Sequence, residues 1–350
     1  MRFEDIYGHE KVKNVLQKAV STKQARHAYL FEGPRGVGRL STALAFASAL
    51  LCEHSDGAES CGVCKSCIMS AAQTHPDIRV ITNQLYDEGK KSTDVSVDTI
   101  RQMKREIYVK PYMAERKIYI VPKADSMTIA AQNSLLKVLE EPPLYCTIIL
   151  IAENANTFLP TILSRVVTLR FQPLSFSLVE QALEKECAAH SEWNIPPESI
   201  PVKARISGGS IGAALDLLQN EEADSLRGET LQKVGLLLQS GQRSVYEFAA
   251  FLKQNKSDIQ FILNILQDWF HDILLLKHGG KSGEIINADK TAELEQFCNQ
   301  VTRQSAAAFP DITAEYAGYI NQNANYPTAV QCMAMEYWGE IHDRNYRRPL

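Results

Sequence analysis

The stretch "HAYLFEGPRGVGRLSTALAFASALL", His27 to Leu51, constrains the fold of this chain more than any other. An apolar run ends in glycine, three glycines punctuate the loop from Gly33 to Gly38, and a helical stretch follows from Ser41 to Leu51. A short apolar run bounded by glycine is a candidate for a strand buried on both faces. A strand that passes through a tight loop into a helix cannot pair antiparallel with its next neighbour, so it calls for a parallel sheet. "KIYIV" (Lys117 to Val121), "CTIILIAEN" (Cys146 to Asn154) and "VVTLRF" (Val166 to Phe171) supply three further strands. "SMTIAAQNSLLKVLEEPP" lies between them and predicts a helix with Leu135, Leu136 and Leu139 at apolar positions, stopped by Pro142 and Pro143. Strands separated by helices give an α/β domain, its sheet covered on both faces.

Beyond Phe171 the strands end. "QPLSFS" has the composition of a linker, and a small helical unit extends to about Leu218. From about Glu229 the chain is helical again. "SDIQFILNILQDWFHDILLLKHGG" places Ile259, Ile262, Leu263, Leu266, Phe270, Ile273 and Leu274 on one face at helical spacing. Lys277 and His278 suit that helix's C-terminus and Gly279 its stop, while "NANYPTAVQCMAMEYWGEI" predicts a last helix. A chain of 350 residues has room for two or three domains, and the expected division is 1–172, 173–226 and 227–350. Hydrophobic residues at 45% and charged residues at 22% describe an ordinary globular protein. No apolar run approaches the ~18 residues of a membrane span, and Met1 to Tyr7 lacks a signal-peptide core, so the expected compartment is the cytoplasm, with no membrane partner.

The glycine loop almost matches a phosphate-binding loop: Gly, four residues, Gly, Lys, then Ser or Thr. Gly33, Gly36 and Gly38 keep the backbone pattern that lets N–H groups face an anion at a helix N-terminus. Arg39 and Leu40 stand where a lysine and a metal-binding hydroxyl belong. Arginine keeps the charge but not the shape of lysine, leucine cannot bind a metal, and Ser41 comes one position late. Two readings follow: a strand-to-helix turn kept for packing, or a weakened nucleotide site. Hydrolysis also needs acidic groups after a neighbouring strand to hold Mg²⁺ and orient water. After "KIYIV" the chain has Pro122 and Lys123, and Asp125, three residues after Pro122, reads as a turn or cap residue.

Four of the eight cysteines crowd into "CEHSDGAESCGVCKSC": Cys52, Cys61, Cys64 and Cys67. Four thiolates at such intervals can wrap one tetrahedral Zn²⁺ at ~2.3 Å each, which makes a closed, structural site. Disulfides are the alternative, disfavoured in a reducing compartment. His54 and His75 lie nearby, though four cysteines already close the site. Cys146, Cys187, Cys298 and Cys332 are single and read as inert thiols.

A net charge of −4 excludes a surface coated for DNA, yet Lys90 to Lys123 holds nine basic against four acidic residues. Within it, "VSVDTIRQMKREIYVKP" predicts a helix with Ile100, Met103 and Ile107 inward and Arg101, Lys104 and Arg105 outward. That face can meet DNA phosphates without sequence preference, or be a solvated face with intrahelical pairs. Glu140 and Glu141 are adjacent, hence divergent on a helix, and are expected to serve as helix-end residues.

"FEDIYGHEKVKNVL", "HAYLFEGPRGVG", "NSLLKVLEEPP" and "LPTILSRVVTLRF", in that order from Phe3 to Phe171, resemble the AAA+ clamp-loader subunits of bacterial DNA polymerase III. In that family's motor subunits the loop ends Gly-Lys-Thr and the strand ends Asp-Glu. The departures at Arg39-Leu40 and Pro122-Lys123, and Gly212 near where motors carry a nucleotide-sensing arginine, are similar to the non-hydrolysing delta-prime kind. The resemblance implies an AAA+ base over 1–172 with a zinc insert at 52–67, a helical lid over 173–226 and an all-α oligomerisation collar over 227–350. It implies a stator with little or no ATPase of its own, within a DNA-directed DNA polymerase (a nucleotidyltransferase) assembly. Its expected partners are gamma/tau and delta subunits, the sliding clamp and primed DNA. Ser164 and Arg165 match the family's Ser-Arg-Cys motif, with Val166 replacing the cysteine; the resemblance implies that Arg165 reaches a neighbour's ATP site. The rivals are a weakly active ATPase motor and a stand-alone zinc protein that binds nucleic acid.

Overall fold

The structure is a computed structural model that describes residues 1–55, 57–81, 95–193, 195–197, 199–239, 241–280, 285–322 and 324–343. The chain divides into two compact units, Met1–Ala182 with Gly208–Ala213, and Leu183–Ser207 with Ala214–Leu350.

The first unit is built on a five-stranded sheet. Its elements are α1 (Glu10–Ser21), β1 (Ala28–Glu32), α2 (Arg39–Leu50), α3 (Lys65–Ala71), β2 (Ile78–Val80), α4 (Val97–Ile107), β3 (Lys117–Val121), α5 (Ile129–Glu140), β4 (Cys146–Ala152), α6 (Pro160–Leu163) and β5 (Val167–Arg170). The strand order is β2-β3-β4-β1-β5, and every pairing is parallel, with Leu30 opposite Leu150 and Thr168. Successive side chains of a strand point to opposite faces, and here both faces are covered. Ala28, Leu30, Tyr119, Val121, Ile148 and Leu150 enter one core, with Ile100, Met103 and Ile107 of α4 and Leu135 and Leu139 of α5. Tyr29, Phe31, Ile118, Ile120, Ile149 and Ile151 enter the other, with Leu16 of α1 and Phe46 of α2. Strands wetted on neither side have no reason to alternate polar with apolar residues, which is why they read as continuous apolar runs.

Local signals set the helix bounds. Ser96 caps α4 by accepting from the Thr99 N–H, and Thr128 caps α5 by accepting from the Ala131 N–H. α5 ends at Glu140, before the two prolines. The expected strands recur within two residues, but β2 escaped the sequence reading: it is three residues long and its middle one, Arg79, is exposed. The expected linker is only partly loose, since Leu174 is buried and its N–H donates to the Gly209 carbonyl. Of the basic stretch, Lys90 and Lys91 lie outside the described residues.

The second unit is helical: α8 (Ser199–Ile206), α10 (Glu221–Gly235), α11 (Gln242–Gln254), α12 (Ile259–Lys277), α13 (Thr291–Gln300), α14 (Arg303–Asn321) and α15 (Tyr326–His342). α7 (Phe176–Ala189) and α9 (Ile211–Gln219) each begin in the first unit and continue in this one. Its core gathers Phe248, Trp269, Phe270, Phe297, Phe309 and Tyr337, where Phe270 and Phe309 stack with centroids 4.6 Å apart. The face expected on α12 is the buried one except for Leu274, which is partly exposed.

A polar network is set into this apolar unit. Asp272 is fully buried and accepts from the Ile286 N–H, the Asn287 N–H and the Asn287 amide at 2.8–2.9 Å. Buried Arg227 donates to both carboxylate oxygens of Asp289 at 2.8 and 2.9 Å and to Asn287 Oδ1 at 2.7 Å. One turn before Asp272 on α12, burial and then the Asp272 charge push Asp268 up to about 7, against a smaller opposing pull from Arg227. A carboxyl raised on folding stabilises the fold while protonated; that contribution is complete below the unfolded value and is lost as pH rises through about 7. Asp268→Asn should therefore be more stable than the parent at pH 8 by about 1–3 kcal/mol. The difference should shrink towards pH 4, as read by denaturant melts across that range.

Candidate functional site

The glycine loop joins β1 to α2, and its carbonyls are taken up one after another by the chain itself. The Arg35 carbonyl accepts from the Ser210 hydroxyl at 2.9 Å. That of Gly36 accepts from the Gly212 N–H at 2.9 Å. That of Val37 accepts from His9 Nε2–H at 2.8 Å. The His9 ring leans on Phe171 with centroids 4.8 Å apart, and burial lowers its pKa, so the imidazole is neutral. Gly36 sits at φ +75°, in the left-handed region, and a Cβ added at Gly212 would lie 2.9 Å from the Gly36 Cα. Backbone rests on backbone there, with no room for a side chain.

Arg39 is 8% exposed and turns inward to donate to the Ala152 carbonyl at the end of β4. Burial lowers its pKa, opposed by the nearby Glu153 and Asp125 carboxylates. Asp125 accepts from the Glu153 N–H at 2.9 Å, a bond to the end of β4 and not the local turn or cap bond expected of it. Leu40 is exposed. The next hydroxyl with a defined bond, that of Thr42, donates to the Gly38 carbonyl at 2.8 Å. Lys123 lies exposed after β3. The positions that would manage magnesium and water thus carry an outward leucine and a cation.

Arg165 follows α6 in the turn before β5. Its guanidinium donates to the Thr161 carbonyl at 2.9 Å and to the Ser164 hydroxyl at 3.1 Å. It also pairs with the Glu140 carboxylate at 3.0 Å, with the arginine side chain 34% exposed. Ser164 thus sits beside Arg165 as sequence neighbours should, but Glu140 is a partner that no local pattern announces.

The four cysteines converge. The sulfurs of Cys52, Cys61, Cys64 and Cys67 all lie within 4.8 Å of one another. Cys61 and Cys67 are 3.9 Å apart, close to the ~3.8 Å edge of a tetrahedron with ~2.3 Å metal–sulfur bonds. Backbone N–H groups point at the sulfurs: Cys61 N–H to Cys52, Cys64 N–H to Cys61 and Cys67 N–H to Cys64, at 3.2–3.4 Å. The N–H groups of Val63 and Cys64 bring Cys61 down to about 6, whereas burial pushes Cys67 up to about 12. Such a cluster can hold four thiolates together only around a cation that deprotonates them. The donor set is soft and closed, and it can bind a metal ion. His75 is no further ligand. Its Nε2 is 2.9 Å from the Ser66 hydroxyl and its Nδ1 accepts from the Asp77 N–H. The Asp77 carboxylate is already occupied by the N–H groups of Tyr112, Met113 and Ala114 at 2.6–3.0 Å. Serine, histidine and aspartate meet here without the histidine–carboxylate bond of a nucleophilic triad.

Comparison with known proteins agrees with this architecture. Residues 8–175 match the family described as DNA polymerase III, delta subunit, and residues 221–309 the one described as DNA polymerase III, delta subunit, C terminal. The chain is 32% identical over 250 residues to DNA polymerase III subunit delta' of Pseudomonas aeruginosa, covering 71% of this chain and 70% of that one. With subunit delta' of Bacillus subtilis the identity is 29% over 299 residues, covering 84% and 85%. With subunit tau of the same organism it is 30% over 335 residues, covering 89% of this chain but 57% of tau. The chain belongs to the DNA polymerase III clamp-loader AAA+ family.

The basic helix of this clamp-loader family member is α4. Arg101 and Arg105 are exposed and Lys104 half-buried, and Arg101 pairs with Asp98 at 3.0 Å. The predicted inward residues Ile100, Met103 and Ile107 are buried. Sequence reading missed the donors that close the loop (His9, Ser210 and the Gly212 N–H) because nothing in a linear pattern ties residue 212 to residue 36. Gly212→Ala tests that closure. Alanine ordinarily favours a helix by about 1 kcal/mol, but here its methyl meets backbone. Thermal melts should show a net loss of about 1–3 kcal/mol.

Proposed function

We propose that this chain is a delta-prime-like stator of the DNA polymerase III clamp loader, which leaves ATP hydrolysis to adjacent subunits and supplies Arg165 to one of them. The observation that carries the proposal is the glycine loop. It lacks the lysine and the metal-binding hydroxyl, β3 is not followed by the acidic pair, and the carbonyls of Arg35, Gly36 and Val37 are bonded to the chain itself. Gly33, Gly36, Gly38 and Arg39 keep the backbone of a nucleotide loop, but without the lysine, the metal-binding hydroxyl and the acidic pair they support no productive nucleotide turnover. Delta' subunits among its relatives support this assignment.

In this role residues 1–172 form the AAA+ base, 173–226 the lid and 227–350 the collar that joins gamma/tau and delta partners. The assembly opens a sliding clamp and places it on primed DNA, whose backbone α4 can follow. An arginine presented in trans opposes the charge that develops on the transferred phosphoryl group and is worth ~10³–10⁵ in rate. Arg165 is partly exposed and is the middle residue of the motif that the resemblance assigns to this purpose. Cysteine has no part in that electrostatics, so Val166 leaves the role intact. The four-cysteine module holds a structural Zn²⁺ and has no open position for chemistry.

Two measurements test these assignments. The purified chain should show no ATP turnover, and brisk Mg²⁺-dependent hydrolysis would make it a motor instead. In the loader reconstituted with its gamma/tau and delta partners, Arg165→Ala should abolish turnover at the one site it serves, by about 10³-fold or more; this reads as a partial loss of total DNA-stimulated ATPase. For the cysteine module, elemental analysis should find one zinc per chain, and Cys64→Ser should lose it together with several kcal/mol of stability, on the order expected for structural zinc.

A further inference from the structure

Glu140 is the last residue of α5, the end of a helix where backbone carbonyls make a negative charge unwelcome. The two prolines that follow fix where that helix ends. Its carboxylate nevertheless lies 3.0 Å from the Arg165 guanidinium. The other donors of that guanidinium go to the Thr161 carbonyl and the Ser164 hydroxyl of its own turn. Three acceptors of this chain therefore engage a cation that, in the role proposed above, has to act on the phosphoryl group of another subunit. The arginine side chain is 34% exposed and the glutamate side chain 50%, so the pair is open to exchange with a competing anion.

From this geometry we infer that Glu140 is a latch: it neutralises Arg165 in cis and withholds it until the neighbouring subunit's nucleotide displaces the carboxylate. The inference rests on the trans role of Arg165. Glu140 is a positioning residue and touches no substrate. A carboxylate and a phosphoryl group compete for the same planar fork of donors. Freeing Arg165 exchanges one charge-assisted pair for another, and the cost of leaving Glu140 is that of a half-exposed ion pair. The latch thus sets how often the finger is engaged and leaves its chemistry alone.

The test is a double-mutant cycle in the reconstituted loader, with steady-state ATPase measured without and with primed DNA. Glu140→Gln should raise turnover without DNA at the one site Arg165 serves by about two- to fivefold, the range a half-exposed ion pair commands, which reads as a smaller gain in the loader's total kcat, and leave KM for ATP unchanged. Its neighbour Glu141→Gln should leave both constants as they are. In the Arg165→Ala background the Glu140→Gln effect should vanish, which a merely structural role for Glu140 would not produce. If Glu140→Gln changes nothing while Arg165→Ala lowers turnover, the latch is refuted and the trans role stands. A gain that persists without Arg165 refutes the latch as well. If Arg165→Ala itself has no effect, the trans role fails and the latch with it.

Discussion

Backbone lies directly on backbone where the Gly212 N–H meets the Gly36 carbonyl. A side chain on residue 212 would push the two apart, and the segment from Ser210 could then no longer reach Arg35 with its hydroxyl. Three consecutive loop carbonyls are satisfied this way, from Ser210, Gly212 and His9. That satisfies backbone polar groups that are partly withdrawn from water, and it holds the loop in one shape. A phosphate cradle binds through its N–H groups; the bonds here engage the carbonyls of the same loop and join the β1–α2 turn to a segment some 175 residues later in the chain.

How much of this can be read in the sequence depends on whether the cause is local. β3 spans the predicted residues because all five are buried, and β4 reads equally well for the same reason. The ends of α5 follow from Thr128 and the prolines, which act on their immediate neighbours. β2 carries one exposed arginine in three residues and sits at a sheet edge, so it has neither the length nor the pattern to be seen. The cysteine cluster was legible since its last three cysteines share one regular interval and one turn-rich segment. The pair of Glu140 with Arg165 was not. It needs the end of α5 and the turn after α6 to meet although β4 separates them in the chain, and no spacing rule encodes that contact.

The cysteine module is anchored from beneath. Ser66 of α3 bonds His75, His75 accepts from the Asp77 N–H, and the Asp77 carboxylate gathers three N–H groups of the loop before β3. Burial alone would raise the Asp77 carboxyl, but those three donors outweigh it and hold the pKa down. Burial likewise keeps His75 neutral. A neutral imidazole between a hydroxyl and a backbone N–H carries no charge to relay. The trio is a buried strut that fixes the cysteine helix to the sheet, and the same residue types have a catalytic look only until their donors are assigned.

Two arginines show how position divides one chemistry into two tasks. Arg39 occupies the place of a phosphate-binding lysine, yet it is enclosed, bonded to a backbone carbonyl and balanced by Glu153 and Asp125. Bringing an anion to it would mean displacing a partner that water cannot replace at that depth, so its charge is committed to the fold. Arg165 is bonded at the surface, where water and competing anions can exchange with its partners at the modest cost of a solvated ion pair. Only the second arrangement leaves a cation transferable. Arg39 thus keeps its charge fixed inside the fold, while Arg165 carries its charge at an edge, where its partners can exchange.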